Sequence, residues 1–167
     1  MREEVWLRGP LEEIPALLQP VAHALLQAEE ELYNYLSFFP DKLLHEQPAG
    51  VASVAFHLKH IVGVLDRMVT YSINSALSDE QFTYLKKEKI FESSDSVESL
   101  LKAVSKQVKI TIQFLQQVPT STLSDFRPVG RKQLPSTVIG LLFHAAEHTQ
   151  RHVGQVYVTS RILLQPD

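Results

Sequence analysis

Three histidines, His144, His148 and His152, recur at four-residue intervals in the stretch Leu141-Leu142-Phe143-His144-Ala145-Ala146-Glu147-His148-Thr149-Gln150-Arg151-His152-Val153-Gly154-Gln155. On an α-helix such residues share nearly one face, each turned by about 40° from the last. Two imidazoles one turn apart can converge on a single divalent ion without bending the backbone. A working imidazole site usually takes three protein ligands and keeps a position open, so a second element has to contribute. The natural donor is Ser53-Val54-Ala55-Phe56-His57-Leu58-Lys59-His60-Ile61, an apolar helical run with two histidines three residues apart.

The competing reading is structural. Histidine is intermediate in its tendency to be buried, and a lone histidine on an apolar helix is ordinarily a hydrogen-bonded core residue. Five histidines on two helices shift that balance, because burying each for its own sake would demand a separate partner for each. Spacing leaves the ligand set open: His144 with His148 is as good a pair as His148 with His152, and His57 is as acceptable as His60. Neutral imidazole ligands leave the double charge of an ion uncompensated and favour an anionic further ligand. A coordinated thiol would be held as thiolate and a bound water would become much more acidic, and either is a nucleophile.

The elements that must position these residues belong to one domain, residues 1–167, a length that can bury an ordinary core. Apolar residues make up 44% of the chain and charged residues 21%, which excludes a disordered polyelectrolyte. A formal charge of −3 and a pI near 6.2 leave no electrostatic footprint for nucleic acid, and Lys86, Lys87 and Lys89, interrupted by Glu88, read as a solvated segment. With no cysteine, any metal must be held by histidine or carboxylate. The first ten residues carry no apolar signal region and no run promises a bilayer span, so the expectation is a cytoplasmic protein without a membrane partner.

Residues 1–19, with Pro10 and Pro15, read as an irregular arm with a short helical turn at 11–18. Pro20 suits the first turn of a helix whose stripe is Val21, Leu25, Ala28, Leu32, Leu36 and Phe39, stopped by Pro40. His23 near its start reads as a surface or capping residue. A second helix is expected from about 51 to 75, striped by Val54, Leu58, Ile61, Leu65 and Met68. Residues 76–94 are charged and poorly patterned, with a short helix opened by Ser78 and Gln81 as a capping box. A third helix follows Asp95 and Glu98, read as a second capping box, and runs to about Gln117 on Val97, Leu101, Val104, Val108, Ile112 and Leu115. Residues 118–134 read as a loop, and Pro135 opens a fourth helix that continues to about Leu164. Four long amphipathic helices without a credible strand predict an all-α four-helix bundle with long connections, in which facing helices build the site. A loop histidine such as His45 is poorly placed to join it.

Two of these stretches carry a family resemblance. Ser53 to Tyr71 and Leu134 to Gln155 resemble the two signature regions of the DinB-like (YfiT-like) metal-dependent helical-bundle superfamily, and Leu17-Leu18-Gln19-Pro20-Val21-Ala22-His23 is similar to a run found in one of its branches. In that family a serine precedes the ligand histidine of the second helix by seven residues, which maps Ser53 onto His60. The last helix carries His-x-x-x-His ahead of a Gly-Gln pair, matching His148, His152, Gly154 and Gln155. The resemblance implies His60, His148 and His152 as metal ligands, with His57 and His144 as neighbours, and leaves the catalytic residues unassigned.

It further implies a divalent ion, commonly zinc or nickel, completed by water, and a homodimer. Some relatives transfer or rearrange thiol conjugates with bacillithiol or mycothiol. The expected function is therefore a divalent-metal-dependent enzyme that activates a thiol or water for attack on a small electrophile, as a thiol S-transferase or a hydrolase, with a low-molecular-weight thiol as co-substrate. The rival readings are a metal- or ligand-binding module without turnover and a purely structural bundle. Asp66, Glu147 and Gln155 are the polar candidates to support the ligand rings, with ordinary surface or core hydrogen bonding as the default role of each taken alone.

Overall fold

The computed structural model describes residues 3–165. Among the described residues five α-helices form: α1 (Gln19–Leu36), α2 (Val54–Ser72), α3 (Asp79–Lys87), α4 (Val97–Gln117) and α5 (Val138–Leu163). Between α4 and α5 lies an antiparallel hairpin of β1 (Phe126–Val129) and β2 (Leu134–Thr137), paired from Phe126 with Thr137 to Val129 with Leu134.

The stripes expected on α1, α2 and α4 are buried, with Met68 and Ile112 partly so, and α5 joins them. Leu25, Leu32 and Leu36 of α1, Leu58, Ile61 and Leu65 of α2, Val104, Val108 and Leu115 of α4, and Leu142, Val153 and Val156 of α5 form one hydrophobic core. Each of the four long helices packs on two others: α5 on α1 and α2, and α4 on α1 and α2. That arrangement sets α2 directly beside α5, so the two histidine-bearing stretches become neighbours. α3 packs on α2, and the hairpin packs on α2 and α5.

Local chemistry explains the boundaries. Ser53 caps α2 by accepting from the Phe56 N–H at 3.2 Å, three residues later than the expected start. The Ser78–Gln81 capping box opens α3 as expected. At α4 the box is formed by Ser96 and Ser99 rather than Asp95 and Glu98, because the Asp95 carboxylate is drawn away to the Lys59 ammonium at 2.7 Å. Pro135 lies in β2, not in a helix, and Thr137 caps α5 by accepting from Gly140 N–H.

The hairpin overturns the expectation of a chain without strands. Pro128 and Pro135 face each other across it, and neither can donate to the ladder, which is why the stretch reads as loop. Its turn uses Gly130 (φ 65°) and Gln133 (φ 51°), and Arg127 Nε fastens it to α2 by donating to Ser72 O at 2.7 Å.

Residues 48–72 are long and apolar enough to cross a membrane by length and composition, contrary to the sequence reading, yet 56% of their apolar 18-residue window is buried within the protein. This is the expected signature of a central helix enclosed by its neighbours. The arm before α1 is held by Gln19, which accepts from Leu11 N–H and donates to Leu11 O and Ile14 O, and by His23 Nε2, 3.1 Å from Gly9 O.

Candidate metal centre

His60 from α2 and His148 and His152 from α5 turn their imidazoles toward one another. His148 Nε2 lies 3.0 Å from His60 Nε2 and 3.0 Å from His152 Nε2. One nitrogen from each ring falls within 4.8 Å of the other two. His152 is buried, while His60 and His148 are partly accessible, so the cluster has a closed side and an open one.

Two of the three rings, His148 and His152, are pushed toward the neutral form. Burial first, then the proximity of His60, His148 and His57, pushes the His152 pKa down to about 3. Burial and the neighbouring His60 and His144 also lower that of His148. Neutral imidazole is the form that offers a lone pair to a metal.

Two of the three rings are anchored through their second nitrogen. His60 Nδ1 is 2.7 Å from Glu88 Oε2, and the other oxygen of Glu88 accepts from Arg67 Nη1, also at 2.7 Å. The Glu88 side chain is only 2% exposed. His152 Nδ1 is 2.8 Å from His57 Nδ1. His57 itself is pushed down to about 4, by burial and by His60, against an opposing hydrogen bond to the Ala52 backbone. His148 Nδ1 is buried and has no hydrogen-bond partner. Phe56 stacks on His60, centroids 5.2 Å apart and planes inclined by 15°, and covers one ring face.

This set of groups fits a divalent ion. If His60 and His152 donate their protons outward from Nδ1, both Nε2 atoms are bare, and a single proton on His148 Nε2 would have to serve two nitrogens at 3.0 Å. A cation satisfies all three lone pairs at once. Metal–nitrogen bonds of about 2.0–2.1 Å place neighbouring ligand nitrogens on the order of 3 Å apart, which matches the observed spacing. An all-nitrogen set suits zinc, nickel, copper or iron.

Several sequence expectations are corrected here. None of Asp66, Glu147 and Gln155 hydrogen-bonds a ring nitrogen of His60, His148 or His152. Asp66 accepts from Gln81 Nε2 at 2.7 Å, Glu147 is shared between His144 Nδ1 and Arg151 Nη2, and Gln155 lines an apolar groove. The supporting groups are Glu88 and His57. Glu88, expected to lie in a solvated segment with its lysine neighbours, is buried instead, because it folds back onto His60 and Arg67, 28 and 21 residues away. His144, Glu147 and His148 form a second grouping of ligand atoms, but His144 is half exposed and its Nδ1 is bound to Glu147 at 2.7 Å.

Cavities flank the cluster on two sides. One of about 330 Å³ is bordered by His45, Ser53, Phe56, Glu88, Lys89 and Ile90. A groove of about 590 Å³ is bordered by Val51, His57, Arg151, Gln155, Val158 and Ile162. Each reaches a supporting residue of the cluster, Glu88 in the first and His57 in the second.

Fold and site together define an all-α protein with a three-imidazole group set between two neighbouring helices. The model of the DinB superfamily matches residues 24–156, most of the chain and all three histidines. The chain belongs to the DinB superfamily. Among solved structures it is similar to a conserved protein from Enterococcus faecalis, with 22% identity, a TM-score of 0.66 and coverage of 87% of this chain and 95% of that one. That likeness concerns the fold alone. No match was found among curated proteins.

Proposed function

We propose that the protein is a divalent-metal-dependent enzyme in which His60, His148 and His152 hold the ion, and which activates a thiol or a water for attack on a small electrophile, in the manner of a thiol S-transferase. The observation that carries this reading is the convergence of three imidazole nitrogens, with His148 Nε2 at 3.0 Å from both others. A bound zinc or nickel ion would supply Lewis acidity, holding a thiol as thiolate or lowering the pKa of a water toward neutrality.

The chain's own residues orient and shield. His60 Nδ1 faces Glu88 and His152 Nδ1 faces His57, and donation outward along both contacts would leave both Nε2 lone pairs facing inward. Phe56 excludes water from one face of His60. The groove beside His57 offers apolar walls of Val51, Val158 and Ile162 with the Arg151 guanidinium at hand, a setting for an electrophile with an apolar body and an anionic end. A low-molecular-weight thiol as co-substrate accords with a cytoplasmic setting, where thiols stay reduced.

One observation favours a second reading, metal binding without turnover. Both oxygens of Glu88 and both of Glu147 are already engaged, so neither carboxylate next to the histidines is free as a general base.

The test is elemental analysis of untagged protein purified without added metal, beside a His148→Ala/His152→Ala variant. The enzyme reading expects about one ion per chain, lost in the variant while helical circular dichroism persists. Wild-type protein that neither carries an ion nor takes up zinc or nickel would refute it. A metal-loaded protein that turns over no pair of small thiol and electrophile would leave the binding reading in its place.

A further inference from the structure

Resting on the metal-centre reading above, we propose that Glu88, oriented by Arg67, is a positioning residue that dictates which nitrogen of His60 carries the proton. Its polarity, more than its bulk, keeps His60 competent as a ligand.

The argument starts from donor and acceptor inventories. A guanidinium has donors only, so the Glu88 oxygen facing Arg67 Nη1 at 2.7 Å must accept. An ionised carboxylate has acceptors only, so its second oxygen, 2.7 Å from His60 Nδ1, requires the proton on Nδ1. As a metal ligand the imidazole carries only one such proton, and with it on Nδ1 the Nε2 is bare where it faces His148. In water an imidazole samples both tautomers. Here Glu88 and Arg67 are nearly buried, with side chains 2% and 8% exposed, so the partner of Nδ1 is the carboxylate and not water.

The seat for this carboxylate is built into α2. His60, Gly63 and Arg67 follow at helical intervals of three and four and lie along one face, with Glu88 descending onto it from the C-terminal end of α3. A Cβ at position 63 would fall far inside contact distance of Glu88 Oε1 and Arg67 Nη1. Glycine in mid-helix costs roughly 0.5–1 kcal/mol relative to alanine, and this contact supplies the reason for it.

A near-isosteric exchange then has an unusual consequence. In Glu88→Gln with Arg67 intact, the amide oxygen must stay toward the guanidinium, since the opposite orientation sets donors against donors. The amide NH2 is left facing His60 Nδ1, which has to become an acceptor. The ring proton moves to Nε2 and points into the cluster, blocking the ligand lone pair. Removing Arg67 as well frees the amide to turn over, present its oxygen to Nδ1 and restore the original tautomer. A second substitution at a buried position thus rescues the first.

The experiment compares wild type, Glu88→Gln, Arg67→Met and Glu88→Gln/Arg67→Met. The His60 tautomer is read in the metal-free proteins by long-range 1H–15N correlation of the imidazole rings, and zinc affinity by competition with a chromophoric chelator. Wild type is expected to show Nδ1–H at His60. Glu88→Gln is expected to show Nε2–H and to bind zinc about 10–100-fold more weakly, the usual effect of losing an outer partner of a ligand. The double variant should return to Nδ1–H and regain most of the affinity. A Glu88→Gln protein that keeps Nδ1–H overturns the proposal, as does a double variant weaker in zinc binding than Glu88→Gln. Should the Arg67→Met proteins fail to fold, the tautomer in Glu88→Gln alone decides. A wild type with the expected tautomer but no zinc uptake would sink the metal reading and leave the tautomer assignment standing.

Discussion

The Nδ1 atoms of His57 and His152 face each other across 2.8 Å, so one proton is shared between two imidazoles of the buried side of the cluster. If His152 is to present a bare Nε2, it is the donor and His57 Nδ1 the acceptor. His57 then carries its own proton on the remaining nitrogen, so the tautomers of the two rings are linked in series.

His57→Leu is therefore expected to weaken zinc binding by about 10–100-fold although it touches no ligand nitrogen directed at the ion. It also strands the His152 Nδ1–H in a dry environment, at a cost of about 1–3 kcal/mol. Chelator competition and thermal unfolding check the two effects separately. Unchanged affinity with lowered stability would reduce His57 to a core residue.

The same pair predicts an acid limb for the metal-free protein. His57 is pushed down to about 4 and His152 to about 3, below the ordinary histidine value of 6.5. The unfolded chain then binds protons that the folded one refuses, so stability falls as pH drops. The contribution is fully present above about 6.5 and is lost progressively as the pH descends toward 4 to 3, by at most about 1.4 kcal/mol per pH unit for each ring. The Tm of the metal-free protein should be level between pH 7 and 8 and decline below 6.5, with a shallower decline in His57→Leu. A flat Tm down to pH 5 would contradict it.

What the sequence made legible follows the physics of each element. The stripes of α1, α2 and α4 repeat every three to four residues because one side of each helix is buried, and that pattern is visible without coordinates. The convergence of His60 with His148 and His152 became readable through spacing on α5 and the family motif around Ser53 and Gly154. Glu88 was not readable, since a single carboxylate in a charged stretch is marked as special only by the pocket that closes around it. The hairpin hid for a related reason: Pro128 and Pro135 punctuate local sequence as loop, while their cross-strand pairing is a tertiary fact.

His144 lies one turn before His148 and shares its spacing, yet the structure separates their roles. Its Nδ1 is bound to Glu147 Oε1 at 2.7 Å and the side chain is 46% exposed, so its removal strands nothing buried. His144→Ala should retain the bound ion and bind zinc within about twofold of wild type, with stability changed by no more than about 0.5 kcal/mol. Loss of the ion in this variant would instead select the grouping of His144, Glu147 and His148.

Gly63→Ala puts two opposed effects on one position. Helix propensity alone favours alanine by about 0.5–1 kcal/mol. Against it stands the new methyl, which would overlap Glu88 Oε1 and Arg67 Nη1. Those atoms cannot yield cheaply, because Glu88 is also held by His60 and both side chains are nearly buried. Overpacking typically costs about 1–3 kcal/mol, and separating a buried ion pair costs more. The clash outweighs the propensity gain, so the expected result is a lowered Tm together with weaker zinc binding as the carboxylate leaves His60. Thermal unfolding and chelator competition read the two losses. A stabilised Gly63→Ala protein with wild-type affinity would show that the Glu88 seat is wider than its geometry indicates.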